Sequence, residues 1–290
     1  MAKSVHQGFE EFLTRLVPTE AQRSAGTSHR TSVKKALEDK LSVNSFFETG
    51  SFSHGTGVRS YSDIDAFVSL KTERPQSSST ALNGVKFSLS ARFPFTTVLI
   101  RRPAVVIKFA DGLETWEIIP AFLTSRGSRN QFIYDIPDPS SETGWIDSAP
   151  YEHLDYVNEC NQEPHKGNAK ALARLIKAWK YYCNVPVSSF YLEMRCAQHV
   201  ATQKSYHHIW DVCQVLEKLQ NHQLAAMNDP KGAAGRFHPC SSDAKRLDAL
   251  SKLSTAATRA RKALNAHNAD DPATAFTYLD LLFGGHFPSR

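Results

Sequence analysis

Two carboxylates one residue apart, Asp63 and Asp65 in Ser62-Asp63-Ile64-Asp65, follow a small-residue turn at Gly50-Ser51 in the run ETGSFSHGTGVRSYSDIDAFVSL. In an extended strand, residues i and i+2 share a face. Asp63 and Asp65 then aim at one point, while Ile64 and Ala66 turn the other way into a core. Paired carboxylates need a partner for their charge, and a divalent cation is the natural one. A Gly-Ser turn beside such a cation suits a nucleoside triphosphate, with backbone N–H groups and a hydroxyl on phosphate oxygens and Mg²⁺ on the same oxygens. Two-metal nucleotidyl transfer needs a third acid from a neighbouring strand. Glu117 fits, being polar within the otherwise apolar Thr115-Trp116-Glu117-Ile118-Ile119-Pro120; the alternative is a solvent-facing acid on an edge strand. Asp111 and Glu114 read as turn residues and are poorer candidates.

The elements that must position these residues follow from periodicity. Val5, Phe9, Phe12 and Leu16 recur at helical spacing over 4–16, and Val33, Ala36, Leu37 and Leu41 over 29–41. Ala66-Phe67-Val68 continues the Asp63–Asp65 strand. A Ser-rich surface loop at 75–79 precedes a short helix carrying Leu82, Val85 and Leu89. Residues 98–109 and 115–123 are strand-like, joined by the hairpin dipeptide Asp111-Gly112. From about residue 167 every segment shows helical spacing. The Ala/Leu/Lys-rich stretch 241–268 predicts a packed helix, since no a/d heptad persists. The expected fold is α+β, a mixed sheet with helices over 1–165 and a helical domain over 166–290.

The chain has 290 residues and 41% hydrophobic content, enough for a substantial core. A formal net charge of +5 suits an acidic ligand such as a nucleotide and falls short of a dedicated nucleic-acid-binding surface. The five cysteines are dispersed without C-x-x-C spacing, which argues against a disulfide framework and a zinc site. No 18-residue apolar run exists, and MAKSVHQGFEEFL lacks a signal-peptide core. The expected location is cytoplasmic. His199, His207, His208 and His222 lack metal-ligand spacing and are expected to be structural or exposed. Tyr151, Tyr156, Asn158 and Asn161, in the stretch between the two halves, are candidates to stack on or hydrogen-bond a base; ordinary packing is the alternative.

GSFSHGTGVRSYSDIDAFV resembles the signature of the polymerase-β-like nucleotidyltransferases. More narrowly it resembles the bacterial CD-NTases (SMODS domain), relatives of cyclic GMP–AMP synthase and oligoadenylate synthetase. VVIKFADGLETWEIIPAF is similar to the hairpin that brings their third carboxylate. LARLIKAWKYYCNVPVSSFYLEM is similar to the helix with a triphosphate-contacting Lys and the Ser after it. DPKGAAGRF and FTYLDLLFGGHFP resemble the family's closing helices. The likeness extends from about residue 25 to 288.

The resemblance implies a bilobed molecule with a central cleft. It implies that Gly50 and Ser51 hold the donor triphosphate, Asp63 and Asp65 bind two Mg²⁺ ions (Mn²⁺ being an alternative), and Glu117 binds the catalytic ion. It further implies that Lys177 reaches the β/γ-phosphates and Ser189 contacts them. From the residues alone, Lys177 reads as a solvated lysine, and Ser189 or Ser188 as a helix N-cap. Many members carry Asp where this chain has Glu117; the charge is kept and one methylene added. The implied activity is synthesis of a cyclic di- or trinucleotide from NTPs, in bacterial anti-phage (CBASS) signalling through a separately encoded effector, by a monomer. A synthase of linear oligonucleotides, a modifier of RNA or small molecules, and an inactive nucleotide sensor are the alternatives.

Overall fold

The computed structural model describes residues 2–290 apart from residues 60, 62, 110–113, 129, 139 and 140; for residues 20–28 it describes the backbone only. The Ser62 of the acidic motif and the Asp111-Gly112 turn therefore lie outside the described residues.

The first body is built on one sheet. Its strands β1 (Val43–Thr49), β2 (Ile64–Leu70), β3 (Thr97–Arg101), β4 (Ala104–Phe109) and β5 (Glu114–Leu123) run in the order β1-β2-β5-β4-β3, extended beyond β5 by β6 (Tyr134–Pro137) and β7 (Trp145–Ser148). The β2–β5 pair is parallel and the other pairs are antiparallel, so the sheet is mixed. Period-2 alternation sorts the two faces. Ile64, Ala66 and Val68 of β2, with Trp116 and Ile118 of β5, pack on Val33 and Leu37 of α2 (Glu20–Glu38) and on Leu82, Val85 and Leu89 of α4 (Ser78–Arg92). Each buried Val, Leu or Ile on this face contributes on the order of 1.5–3 kcal/mol. The opposite face carries Asp65, Phe67, Glu117 and Ile119.

The stretch 98–109 reads as one strand but forms two. Pro103 has no N–H to give to a ladder, and the chain turns at Arg102-Pro103 so that β4 folds back on β3, Ile100 opposite Val105. The short β6 and β7 went unread, and Glu114 is the buried first residue of β5, its carboxylate accepting from the Trp116 indole at 2.7 Å.

The second body is helical: α5 (Pro150–Cys160), α6 (Asn168–Tyr182), α7 (Ser189–Ala201), α8 (His208–Asn221), α9 (Asp243–Asn268) and α10 (Pro272–Leu282). The helix α1 (Val5–Leu16) also belongs to this core. It is started by a capping box, Ser4 Oγ accepting from Gln7 N–H and Gln7 Oε1 accepting from Ser4 N–H. Its Phe12 ring lies 4.7 Å from that of Phe283 and 5.3 Å from that of Phe287. Val157 and Cys160 of α5 enter the same core. Packing thus crosses the sequence boundary drawn at residue 165. DPKGAAGRF is also not helical. Asp229 Oδ1 accepts from Lys231 N–H and its Oδ2 from the N–H groups of Ala233 and Ala234, closing a turn. That turn joins β8 (Met227–Asn228) to β9 (Arg236–Phe237).

Candidate active site

The acids converge as alternation requires. In the parallel β2–β5 register Asp65 sits opposite Glu117, so both face the same side of the sheet, and Asp63 precedes Asp65 by two residues on the approach to β2. All three line a cleft of about 1440 Å³ between the sheet and the helical body. Burial, and then the charges of Glu117 and Asp63, push the Asp65 carboxyl well above the usual carboxylate range. Asp63 is also raised, by burial outweighing Arg101 and Lys108, and Glu117 is raised by burial and by Asp63. Among the described residues the cation paired with these acids is Arg101, 3.7 Å from Glu117 and 69% exposed, too well hydrated to offset three partly desolvated acids. Three hard oxygen donors short of positive charge match Mg²⁺ or Mn²⁺ rather than a soft ion.

The Gly50-Ser51 turn lies directly against this cluster. Gly50 has φ +65°, and a Cβ built on it would stand 2.0 Å from Asp65 Oδ2. Only glycine allows both the backbone conformation and the approach. Gly50 and Ser51 open α3 (Gly50–Ser53), and both line the cleft.

Behind the turn sits a second polar cluster. Glu193 of α7, 3% exposed, accepts from His54 Nδ1, from Thr56 Oγ1 and, at 3.1 Å, from Lys177 Nζ. Lys177 also donates to Thr56 Oγ1 at 2.9 Å. Burial alone would raise the Glu193 carboxyl; Lys177 and the hydrogen bonds from His54 and Thr56 outweigh it and hold it far below the usual range. The expectation for Lys177 is therefore revised. It lines the cleft from beneath, 1% exposed, with its ammonium committed to Glu193. Leaving that partner for a phosphate would strand a buried carboxylate, a cost of roughly 3–5 kcal/mol.

Lys180, one helical turn on, also lines the cleft, and among the described residues it is paired with no carboxylate. Its Nζ donates to Ser189 Oγ, and Ser189 Oγ also lies 3.0 Å from Tyr181 Oη. Burial, then the nearby Lys177 charge, push Lys180 down to about 8. Ser188 is the α7 N-cap, accepting from Tyr191 N–H, which leaves the Ser189 hydroxyl for the cleft. Tyr61 stacks on Tyr181 with centroids 4.8 Å apart, and both line the cleft. Lys180 and Glu193 could have been read from i+3 and i+4 spacing to Lys177 and Ser189; Tyr61 carried no signal.

The proposed base readers do not meet the cleft. Tyr151 stacks on Phe47 at 4.8 Å, Tyr156 packs on the helical core, and the Asn161 side chain accepts from Lys170 N–H at the start of α6. Asn158 also lies outside the lining, because α5 presents Pro150 and His153 instead. His153 is held by Asp229 at 3.2 Å, and His199 by Asp211 at 2.8 Å, both as structural pairs. All five cysteines are free thiols, and among the described residues no helix is long and apolar enough to cross a membrane.

Solved structures share this fold. Escherichia coli MS115-1 CdnC with ATP superposes with a TM-score of 0.78 at 16% identity, covering 98% of this chain and 99% of that one. Vibrio cholerae DncV cyclic AMP-GMP synthase, in complex with its linear intermediate, gives 0.74 at 15% identity over 100% and 97%. Bradyrhizobium diazoefficiens CdnG in complex with GTP gives 0.71 at 12% over 95% and 97%. A probable cyclic nucleotide synthase of Bacillus cereus (strain VD146) is 26% identical over 155 residues, 53% of this chain and 44% of that protein, so the match spans less than half of the relative. The model of the Second Messenger Oligonucleotide or Dinucleotide Synthetase domain matches residues 3–161, more than half of the chain, and the protein belongs to that family.

Proposed function

We propose that this chain joins nucleoside triphosphates into a cyclic di- or trinucleotide, releasing pyrophosphate at each bond. The observation that carries the reading is the convergence of Asp63, Asp65 and Glu117 beside the Gly50 turn, at the floor of a cleft larger than the roughly 300–1,000 Å³ of a single small-molecule site. Such a cleft has room for a donor and an acceptor nucleotide together. Asp63 and Asp65 would hold two Mg²⁺ ions and Glu117 the one nearer the nucleophile; bound there, the ions supply neutralisation of phosphate charge and acidify the attacking hydroxyl. The Gly50-Ser51 turn, Ser189 and Lys180 hold the donor triphosphate. The 2′- or 3′-oxygen of the acceptor forms a bond to the donor α-phosphorus, the bond to pyrophosphate breaks, and the hydroxyl proton passes to solvent. A second attack closes the ring. The protein supplies position and charge, and no covalent enzyme intermediate is needed.

Membership in a second-messenger synthetase family supports a soluble signalling product. We read that product as the activator of a separately encoded effector in bacterial defence, made in the cytoplasm by a monomer. Incubation with all four NTPs and Mg²⁺ or Mn²⁺, phosphatase treatment and mass spectrometry test the reading. A phosphatase-resistant oligonucleotide is the expected outcome. A phosphatase-sensitive ladder, transfer to RNA or no turnover would overturn it.

A further inference from the structure

Away from the cleft, α1 and α8 bring two imidazoles and a carboxylate together. His6 and Glu10 are i and i+4 on α1 and so share one face. His208 is the first residue of α8, and its Nε2 stands 2.8 Å from Glu10 Oε1. The His6 and His208 rings lie nearly parallel, 6.0 Å apart and 14° between planes. One donor atom from each of the three lies within 4.8 Å of the others. Ligands at 2.0–2.2 Å in a tetrahedral shell stand about 3.3–3.6 Å apart. Closing the group around an ion therefore needs only rotamer adjustment of His6 and Glu10, which are exposed.

The surroundings favour one orientation of the third ligand. His208 Nδ1 is bonded to Tyr206 Oη at 2.9 Å, and Phe9 stacks on the same ring at 5.5 Å. A partner on the remote nitrogen that fixes ring orientation is the usual support of a metal-bound histidine. We propose that His6, Glu10 and His208 form a site for a borderline transition-metal ion of the Zn²⁺ class, stapling α1 to the start of α8. Two imidazoles make the site selective against Mg²⁺, which takes oxygen ligands and keeps its water. The site is thus chemically orthogonal to the three-carboxylate site.

The test is a Zn²⁺ titration of the full chain against a chromophoric chelator in millimolar Mg²⁺. It is repeated in the Asp63→Asn/Asp65→Asn variant, so that the cleft acids cannot contribute. One Zn²⁺ per chain is expected in that variant. His6→Ala and Glu10→Gln, both at exposed positions, should each weaken it at least tenfold, and Tyr206→Phe by about tenfold. Zn²⁺ should raise the melting temperature of the parent chain and not of His6→Ala. NTP turnover with Mg²⁺ alone should be the same in His6→Ala as in the parent. Absence of Zn²⁺ binding, or binding that survives both His6→Ala and Glu10→Gln unchanged, would overturn the site and leave the nucleotidyltransferase reading untouched.

Discussion

Two acid clusters meet across the Gly50–Thr56 segment, and they solve the problem of burial in opposite ways. Burial raises the pKa values of Asp63, Asp65 and Glu117, and acidic neighbours raise Asp65 and Glu117 further. Glu193 is buried more deeply, yet Lys177, His54 and Thr56 hold its pKa down. The first cluster carries a charge deficit that only a ligand removes. In the second the Glu193 charge is met within the fold, and the cluster joins α6 and α7 to the segment that follows the turn. Perturbed acids mark function when they lack a partner, and architecture when they have one.

Breaking the unpaired cluster should have the largest effect. Asp65→Asn is expected to lower turnover by at least about 10³-fold, roughly 4 kcal/mol of barrier, in single-turnover kinetics with labelled NTP. The same change should stabilise the metal-free protein by about 0.5–2 kcal/mol in urea, because it removes a buried repulsion. The pH dependence sharpens the contrast. Acids with raised folded pKa values retain protons that the unfolded chain releases, so they cost stability as pH rises from the ordinary carboxylate range through the folded values. Glu193 works in reverse, contributing above the ordinary carboxylate pKa and losing that contribution as pH falls. Asp65→Asn should flatten the first slope in pH-dependent melting and leave the second.

Breaking the paired cluster comes next. Glu193→Ala strands Lys177 in the interior and should cost about 3–5 kcal/mol in denaturant unfolding. Lys177→Met combined with Glu193→Leu should recover part of that loss, and the double-mutant cycle measures the pair itself. A Lys177→Met variant that keeps its stability and loses only donor affinity would return Lys177 to the phosphate. Gly50→Ala tests the contact between the two regions: a Cβ at φ +65° against Asp65 should cost about 1–3 kcal/mol of backbone strain and about 10²-fold in kcat. The smallest effect expected is at Lys180. With its pKa near 8 in the free protein, donor kcat/KM should fall above that pH by up to about tenfold per unit, and Lys180→Arg should remove the fall.

How much of this the sequence disclosed depended on the range of the information. Asp63, Asp65 and Glu117 were legible because alternation fixes the face of a strand, and an acid within an apolar run must face something polar. Lys177 reads from the residues alone as a solvated lysine, and the structure buries it against Glu193, a carboxylate on another helix. Nothing in ALARLIKAWK separates a lysine in a buried ion pair from one that meets a ligand. Lys180 stands out only once the structure shows that the Lys177 ammonium is held by Glu193. The turn at Pro103 was available from proline chemistry and was overridden by the apolar residues on either side. The seat of α1 was not legible at all, since an amphipathic pattern reports that a face is covered and not by what.

That seat has a consequence for synthesis. The residues that close over α1 are Phe283 and Phe287, about 270 positions downstream of Phe12. At roughly 5–20 residues per second, α1 waits on the order of a quarter to one minute for these last partners. The sheet core assembles from residues 33–118 and is complete long before then. A nascent chain can thus have its acids in place while the helical wall of the cleft is still unfinished, so competence to use nucleotide arrives late and all at once.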